Sequence, residues 1–401
     1  MSISRVTAWI VWGVASLFYA YQYVLRVMPN IMLDDIMEKF QIDAAIFGQF
    51  SGLYYIGYSL MHLPIGIMLD RHGPRKVMSG CILLTVIGLL PLLFAEHFIY
   101  PIVGRALIGM GSSAAILGAF KIIRMTFQER QFTRMLSFSA TIGLIGAIYG
   151  GSPISYLSET FGYQFVVQLL AFAGIGLAML TYFIVPEMDS VPTGSVLKDI
   201  KEVLSNRRVI WCSLLAGLMV GPLEGFADVW GSAFLTGVYR LDHAQAVTLP
   251  SMIFIGMCFG SPLLSVIAEK TGYYIGTIMG AGFLMAVGFA WLLTGALTPN
   301  SIGLLFLLVG VCCGYQIIAI YQASTYVHER VAGLTTALAN MIIMSFGYAF
   351  HSLIGLVVKF FGGSEQPISL LYGVGVIPIL LTVGVIGFSV LWLKSVTIAK
   401  S

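Results

Sequence analysis

Glu224 and Asp228 stand four residues apart inside a long apolar stretch, and Arg26 lies near the end of another. A charged side chain at the centre of a bilayer costs about 2.5–3.5 kcal/mol to insert, so such residues mark a functional site by default. The i, i+4 spacing puts the two carboxylates on one helix face, which Gly217 and Gly221 continue. Before Arg26, Tyr19, Gln22 and Tyr23 complete a polar stripe at i, i+3, i+4 and i+7. Lipid is a poor neighbour for either face. A cation among tyrosines suits an anionic group, and paired carboxylates suit a coupling proton or the ammonium of a zwitterion. Arg26 is therefore expected to face Glu224 or Asp228 across a midline chamber; a structural ion pair or snorkelling side chains are the plainer alternative.

Three more basic residues, Arg105, Lys121 and Arg124, fall in apolar stretches, so the intramembrane charges total four basic and two acidic and favour an anion over a cation. Arg105 and Lys121 are sixteen residues apart, which rotates them to nearly opposite helix faces. Arg105 is the one expected at a cavity, with Lys121 and Arg124 left to gating or snorkelling. Neutral groups add Tyr55, Tyr58 and His62 on one helix face, Tyr315 and Gln322 on another, and Asn340 with His351 on a third. Tyrosine hydrogen-bonds while burying a ring, which suits a small polar solute with an apolar part. A lone His or Asn within the membrane is more often a satisfied interhelical hydrogen bond than a ligand.

The elements that position these groups must be membrane helices. The chain has 401 residues, 58% hydrophobic and only 10% charged, against about 25% charge in ordinary globular proteins. Barrel strands alternate over about ten residues, whereas the apolar runs here are continuous and of helix-spanning length. Twelve such spans are predicted, at 6–28, 45–68, 77–95, 99–123, 135–158, 164–186, 209–235, 244–267, 275–296, 301–326, 333–358 and 369–393. They are numbered spans 1 to 12 below. A polar, proline-containing stretch at 187–208 separates residues 1–186 from 209–401 and reads as a cytoplasmic linker between two six-helix bundles. With both termini inside, fourteen Lys and Arg residues are cytoplasmic and three, Lys39, Arg240 and Lys359, are outside, which fixes the orientation. The N-terminus has no small-residue cleavage site, so span 1 is expected to be retained.

The halves repeat at an offset of 199 residues: Ile56-Gly57 matches Ile255-Gly256, and Asp70-Arg71-His72-Gly73 matches Glu269-Lys270-Thr271-Gly272. Gly66-Ile67-Met68-Leu69-Asp70-Arg71-His72-Gly73-Pro74-Arg75-Lys76 resembles the signature loop of the major facilitator superfamily, G-x-x-x-D-R-x-G-x-R-[RK]. Arg105-Ala106-Leu107-Ile108-Gly109-Met110-Gly111 is similar to that family's R-x-x-x-G-x-G pattern. The resemblance implies an all-α fold of two pseudo-symmetric six-helix bundles and a gate in which Asp70 meets the start of span 11 near Gly333. Arg71, Gly73, Arg75, Glu269 and Lys270 would complete the two gating loops. The aromatic first span with Arg26 looks like the organic-anion branches, which hold a carboxylate or phosphate on that arginine; Leu25 stands where many of them carry an acid. In span 5, Gly150-Gly151 precedes Ser152-Pro153, the reverse of the antiporter order, which argues against drug-antiporter membership.

The expected activity is secondary transport of a small carboxylate-bearing solute, an organic anion, amino acid or short peptide, by alternating access and with protons. A facilitative uniporter or exporter, a non-transporting receptor or chaperone on the same scaffold, and a membrane enzyme are the rivals. No G-x-x-x-x-G-K-[ST] loop is present for ATP, and no His cluster has metal-ligand spacing, so neither cofactor nor metal is expected. Cys81, Cys212, Cys258, Cys312 and Cys313 all lie in apolar runs and read as core. A net charge of +3 without a dense basic run points away from nucleic acid. A monomer in a bacterial inner membrane completes the expectation.

Overall fold

The computed structural model describes residues 5–127, 132–187 and 196–400. Among these the chain is helical and without strands, and eleven helices are long and apolar enough to cross a membrane. The segment expected as span 5 is divided into Phe132–Tyr149 and Ser152–Phe161. Its break falls at Gly150-Gly151, just before Pro153, whose missing N–H cannot continue the backbone ladder. A twelve-helix count is consistent with the whole.

The signature loop joins spans 2 and 3, Ala44–Leu69 and Arg71–Phe94. Gly73 makes the turn at φ 76°, ψ 161°, a region that side chains with a Cβ avoid. Its counterpart after span 8 ends the helix Ser251–Thr271 on Gly272 at φ 71°, the left-handed C-terminal residue that glycine favours.

Packing divides the chain into two compact units, Met1–Ile42 with Leu53–Gly194 and Asp43–Gly52 with Ser195–Ser401. The repeat detected in the sequence reappears as packing within each. In the first unit a Cβ on Gly57 of span 2 would overlap the Ala106 carbonyl of span 4. In the second a Cβ on Gly256 of span 8 would overlap the Leu307 carbonyl of span 10. Both glycines thus let the second and fourth helices of their unit touch backbone to backbone, the device by which membrane helices gain contact without a hydrophobic driving force.

The Asp43–Gly52 segment packs by the same means on span 11: Gly48 lies against the His351 carbonyl and Gly52 against Tyr348. Phe47 meets Trp230 edge-on at 6.1 Å, and Asp43 forms a 2.9 Å ion pair with Lys359.

Candidate functional site

In the first unit the site is built where span 1 ends. The helix Arg5–Val27 passes into a short 3-10 turn, Met28–Asn30. Pro29 has no N–H to return to the Leu25 carbonyl, and the last carbonyls of any helix lack intrahelical partners. Arg105 supplies them: its Nη1 donates to Leu25 O at 2.6 Å and its Nη2 to Arg26 O at 2.8 Å. A guanidinium fork suits two adjacent acceptors where an ammonium does not. Its flat face lies over the Tyr54 ring, 4.9 Å from the centroid, and Tyr54 Oη donates to Gln22 Oε1 at 2.5 Å.

Arg26 itself is 6% exposed. Its guanidinium carbon is 5.0 Å from the centroid of Tyr23 and 5.2 Å from that of Tyr55. Cation–π attraction is strengthened by exclusion of water, so the rings hold the charge in place while leaving it a cation. Tyr19 meets Tyr23 edge-on at 5.3 Å; Tyr58 stacks on Tyr54 at 6.0 Å and tilts against His62 at 5.1 Å. Gln22, Tyr23, Arg26, Tyr55 and Arg105 are thus brought together, with Tyr19 and Tyr58 at the edge. Tyr54, which touches Gln22, Tyr55, Tyr58 and Arg105, escaped the sequence reading, although its i, i+4 relation to Tyr58 was there to be seen.

The second unit builds its site on an interrupted helix. Span 7 begins as α-helix, Arg207–Gly217, breaks at 218–220, and continues as ten residues of π-helix, Gly221–Trp230. π-Helical turns are rare and concentrate at functional sites. Glu224 and Asp228 both lie in this segment, 1% and 0% exposed. Wider winding leaves a residue at i+4 just short of a full turn rather than just past it, so the carboxylates still share a side.

The glycines do not. Gly217 packs on Phe346, while Gly221 and Gly225 pack on Phe350, so the small-residue line faces span 11. Glu224 is instead close enough to act electrostatically on Cys313 and Tyr315 of span 10. Indexing at 100° per residue put Gly217 and Gly221 on the acids' face because it assumed α geometry throughout. Phe226, midway in sequence between the acids, packs on Phe234, Phe289 and Phe306 at 5.3–5.7 Å.

Tyr315 Oη donates to the Ala216 carbonyl at 2.8 Å, beside the break. Gln322 is not brought to it: that side chain donates to Thr325 Oγ1, within its own turn. Asn340 is half-buried and His351 fully buried on span 11. Among the gating residues, Arg75 lies 4.5 Å over the Tyr182 ring, and Arg71, Glu269 and Lys270 are exposed. The side chain of Asp70 and the side-chain surroundings of Gly333 lie outside the described residues. Lys121 is half-buried and Arg124 exposed. Among the described residues no three His, Cys, Asp or Glu side chains are grouped as a metal site.

Comparison with known proteins follows the same lines. The sequence is 23% identical over 338 residues to the chloramphenicol resistance protein CraA of Acinetobacter baumannii, covering 80% of this chain and 79% of that one. It is 23% identical over 351 residues to the multidrug resistance protein MdtL of Escherichia coli, covering 82% and 86%. The fold matches an inward-facing bacterial homolog of the human lysosomal transporter Spinster with TM-score 0.73, 16% identity and coverage of 97% and 96%. It matches the nucleoside transporter NupG with TM-score 0.73, 14% identity and coverage of 94% and 100%. A sequence model of the Major Facilitator Superfamily matches residues 11–352. With that match across most of its length, a helical membrane fold and a paired repeat, the chain belongs to the Major Facilitator Superfamily, whose members are transporters and not enzymes.

Proposed function

We propose that this transporter carries a small carboxylate-bearing solute by alternating access, coupled to protons through Glu224 and Asp228. The observation that carries the reading is Arg26: a cation almost wholly removed from solvent, set between two tyrosine rings at the end of a helix held by a second arginine. A cation held among tyrosine rings at the end of a membrane helix suits the carboxylate of a solute. Arg26 is the ligand group, Arg105 holds it, and Tyr19, Gln22, Tyr23, Tyr55 and Tyr58 shape its surroundings. Glu224 and Asp228 take the proton or, for a zwitterion, the ammonium, with Tyr315 beside them and Gln322 and Asn340 as outlying polar groups.

The 187–208 linker joins the two moving bundles, and the paired loops at Asp70–Arg75 and Glu269–Lys270 gate the cytoplasmic side. The excess of Lys and Arg in the loops on one side supports cytoplasmic termini, in what we read as a bacterial inner membrane.

Purified protein in liposomes is expected to take up a labelled carboxylate solute under an inward proton gradient. Arg26→Ala should weaken anionic solutes far more than neutral ones, and Glu224→Gln or Asp228→Asn should uncouple uptake from the gradient while sparing exchange. Absence of gradient-driven uptake across a broad panel of acids would remove the reading. A second reading, export of uncharged drug-like molecules, is favoured by the names of the relatives CraA and MdtL. It predicts that chloramphenicol competes with solute and that Arg26→Ala leaves its transport intact.

A further inference from the structure

We infer that the linker-side half of span 7 is fastened to span 10 as one stiff pair, with Asn206 as its outermost fastener, so that the linker helix is a handle on the acid-bearing segment of span 7. The inference stands whichever solute is carried. Three side chains make the seam. Asn206 Nδ2 donates to Tyr326 O at 2.8 Å, Cys212 Sγ to Ala319 O at 3.6 Å, and Tyr315 Oη to Ala216 O at 2.8 Å. The contacts keep step: 206, 212 and 216 rise along span 7 as 326, 319 and 315 fall along span 10, the register of two antiparallel helices lying side by side. Donors come from both helices, and a slide of either along the other breaks all three bonds together.

Asn206 does two things at once. Its Oδ1 accepts from the amides of Arg208 and Val209 at 3.0 and 3.3 Å, which starts the helix Arg207–Gly217 as an N-cap does. Its Nδ2 meets a carbonyl just past the helix Tyr315–Ser324, where backbone acceptors lack intrahelical partners. Immediately before it, the linker helix Val196–Ser205 packs on spans 7 and 11. One residue therefore joins the linker helix, the start of span 7 and the end of span 10. From Asn206 to Ala216 the helix covers about 15 Å at helical rise. Beyond it the backbone breaks at 218–220, and the π-wound segment with Glu224 and Asp228 begins at Gly221. A helix bonded to its neighbour at both ends passes a displacement on rather than absorbing it, so the first compliant point is the break.

Cys212 gives the seam its own reporter. The thiol lies between the other two fasteners and is fully buried, so N-ethylmaleimide reaches it only when the seam opens. Its alkylation rate in the full-length protein in detergent, read peptide by peptide by mass spectrometry, measures that opening apart from the other cysteines. Asn206→Asp keeps the cap and loses the donor, and Tyr315→Phe loses the hydroxyl. Each is expected to speed Cys212 alkylation about threefold, the worth of one hydrogen bond between membrane helices. Together they should speed it about ninefold, because a seam that opens as a unit multiplies the two effects. Asn206→Ser, which also caps but does not reach Tyr326, should match Asn206→Asp.

A double variant no faster than the faster single one means that the two ends fray independently, and overturns the stiff pair. A wild-type rate in both Asn206→Asp and Asn206→Ser overturns the role of Asn206. Backbone amide exchange separates a handle from a local cap: in Asn206→Asp, residues 218–223 should exchange faster by the same factor as the thiol reacts. Acceleration confined to 207–210 makes Asn206 a cap and nothing more, and overturns the coupling to the acid-bearing segment.

Discussion

The first helix of each unit carries the charges of its site, yet the two solve the problem of a buried charge differently. Span 1 stays α-helical to Val27 and surrounds Arg26 with rings. Span 7 breaks after Gly217 and rewinds as π-helix around Glu224 and Asp228. In both units the fourth helix reaches across to carbonyls of the first: Arg105 of span 4 to Leu25 and Arg26, Tyr315 of span 10 to Ala216. The first unit uses a cation with two bonds, and the second a neutral hydroxyl with one. Each unit thus ties its fourth helix to its first, with different chemistry and at positions that the 199-residue offset does not pair. A permanently charged fork holds a rigid end, and a single hydroxyl leaves the broken helix freer to rewind.

The largest effect expected from this contrast is at Arg105. Arg105→Ala removes two charge-assisted hydrogen bonds and leaves buried carbonyls without donors, a loss of about 3 kcal/mol. It should lower the unfolding midpoint in detergent and weaken acidic solutes together, because Arg26 then loses its anchored backbone. Arg105→Lys restores the charge but not the fork, so partial recovery of stability is expected. Full recovery by lysine would mean that the end of span 1 is held by charge alone and not by the geometry of the fork.

Tyr315→Phe is expected to cost less, about 0.5–1 kcal/mol, the range found for hydrogen bonds between membrane helices. The Ala216 carbonyl keeps its bond from the Met219 amide at 3.0 Å, so no acceptor is stranded. The same variant should alter the transport rate more than the unfolding midpoint if span 7 rewinds during the cycle. Should Tyr315→Phe destabilise as much as Arg105→Ala, the distinction between a clamped helix end and a released one fails.

Much of this contrast was legible in the sequence on one side and not on the other. Span 1 obeys α periodicity, so Tyr19, Gln22, Tyr23 and Arg26 could be indexed by spacing to one stripe, and the structure keeps Gln22, Tyr23 and Arg26 in one cluster. The repeat at Gly57 and Gly256 was likewise readable, because close backbone approach demands the same residue in both halves. Span 7 was not, since Pro222 and three nearby glycines announce a weak helix without announcing which helix replaces it. The partners of Arg105 were hidden for a different reason. Pro29 deprives a carbonyl eighty residues away in sequence from the arginine that satisfies it, and no local pattern records such a debt. Gln322 does lie in one helix with Tyr315, as the spacing indicates, but at the end of Tyr315–Ser324 its side chain bonds locally to Thr325, a contact that spacing alone does not record.

The smallest expected effect compares the ion pairs at the margins of the two units. In the second unit Asp43 pairs with Lys359 at 2.9 Å, with side chains 38% and 55% exposed. Partial burial pushes the Asp43 carboxyl up, but the Lys359 ammonium and the amides of Ile46 and Ala45 outweigh it and hold the carboxyl below its ordinary value. A group lowered in the folded state stabilises above its unfolded pKa, about 3.9, and that stability is lost as pH falls through the lower folded value. After discounting for solvent, a few tenths of a kcal/mol is expected. In the first unit Lys76 and Glu187 approach more closely, to 2.6 Å, yet both side chains are 60% exposed. The Lys76 ammonium lowers the Glu187 carboxyl, but water and salt screen so open a pair. Asp43→Asn should therefore lower the unfolding midpoint slightly between pH 5 and 7, with the difference from wild type closing below about pH 4. Glu187→Gln should produce no shift at any of these values. The opposite ranking would mean that distance, and not enclosure by neighbouring amides, decides what these marginal pairs contribute.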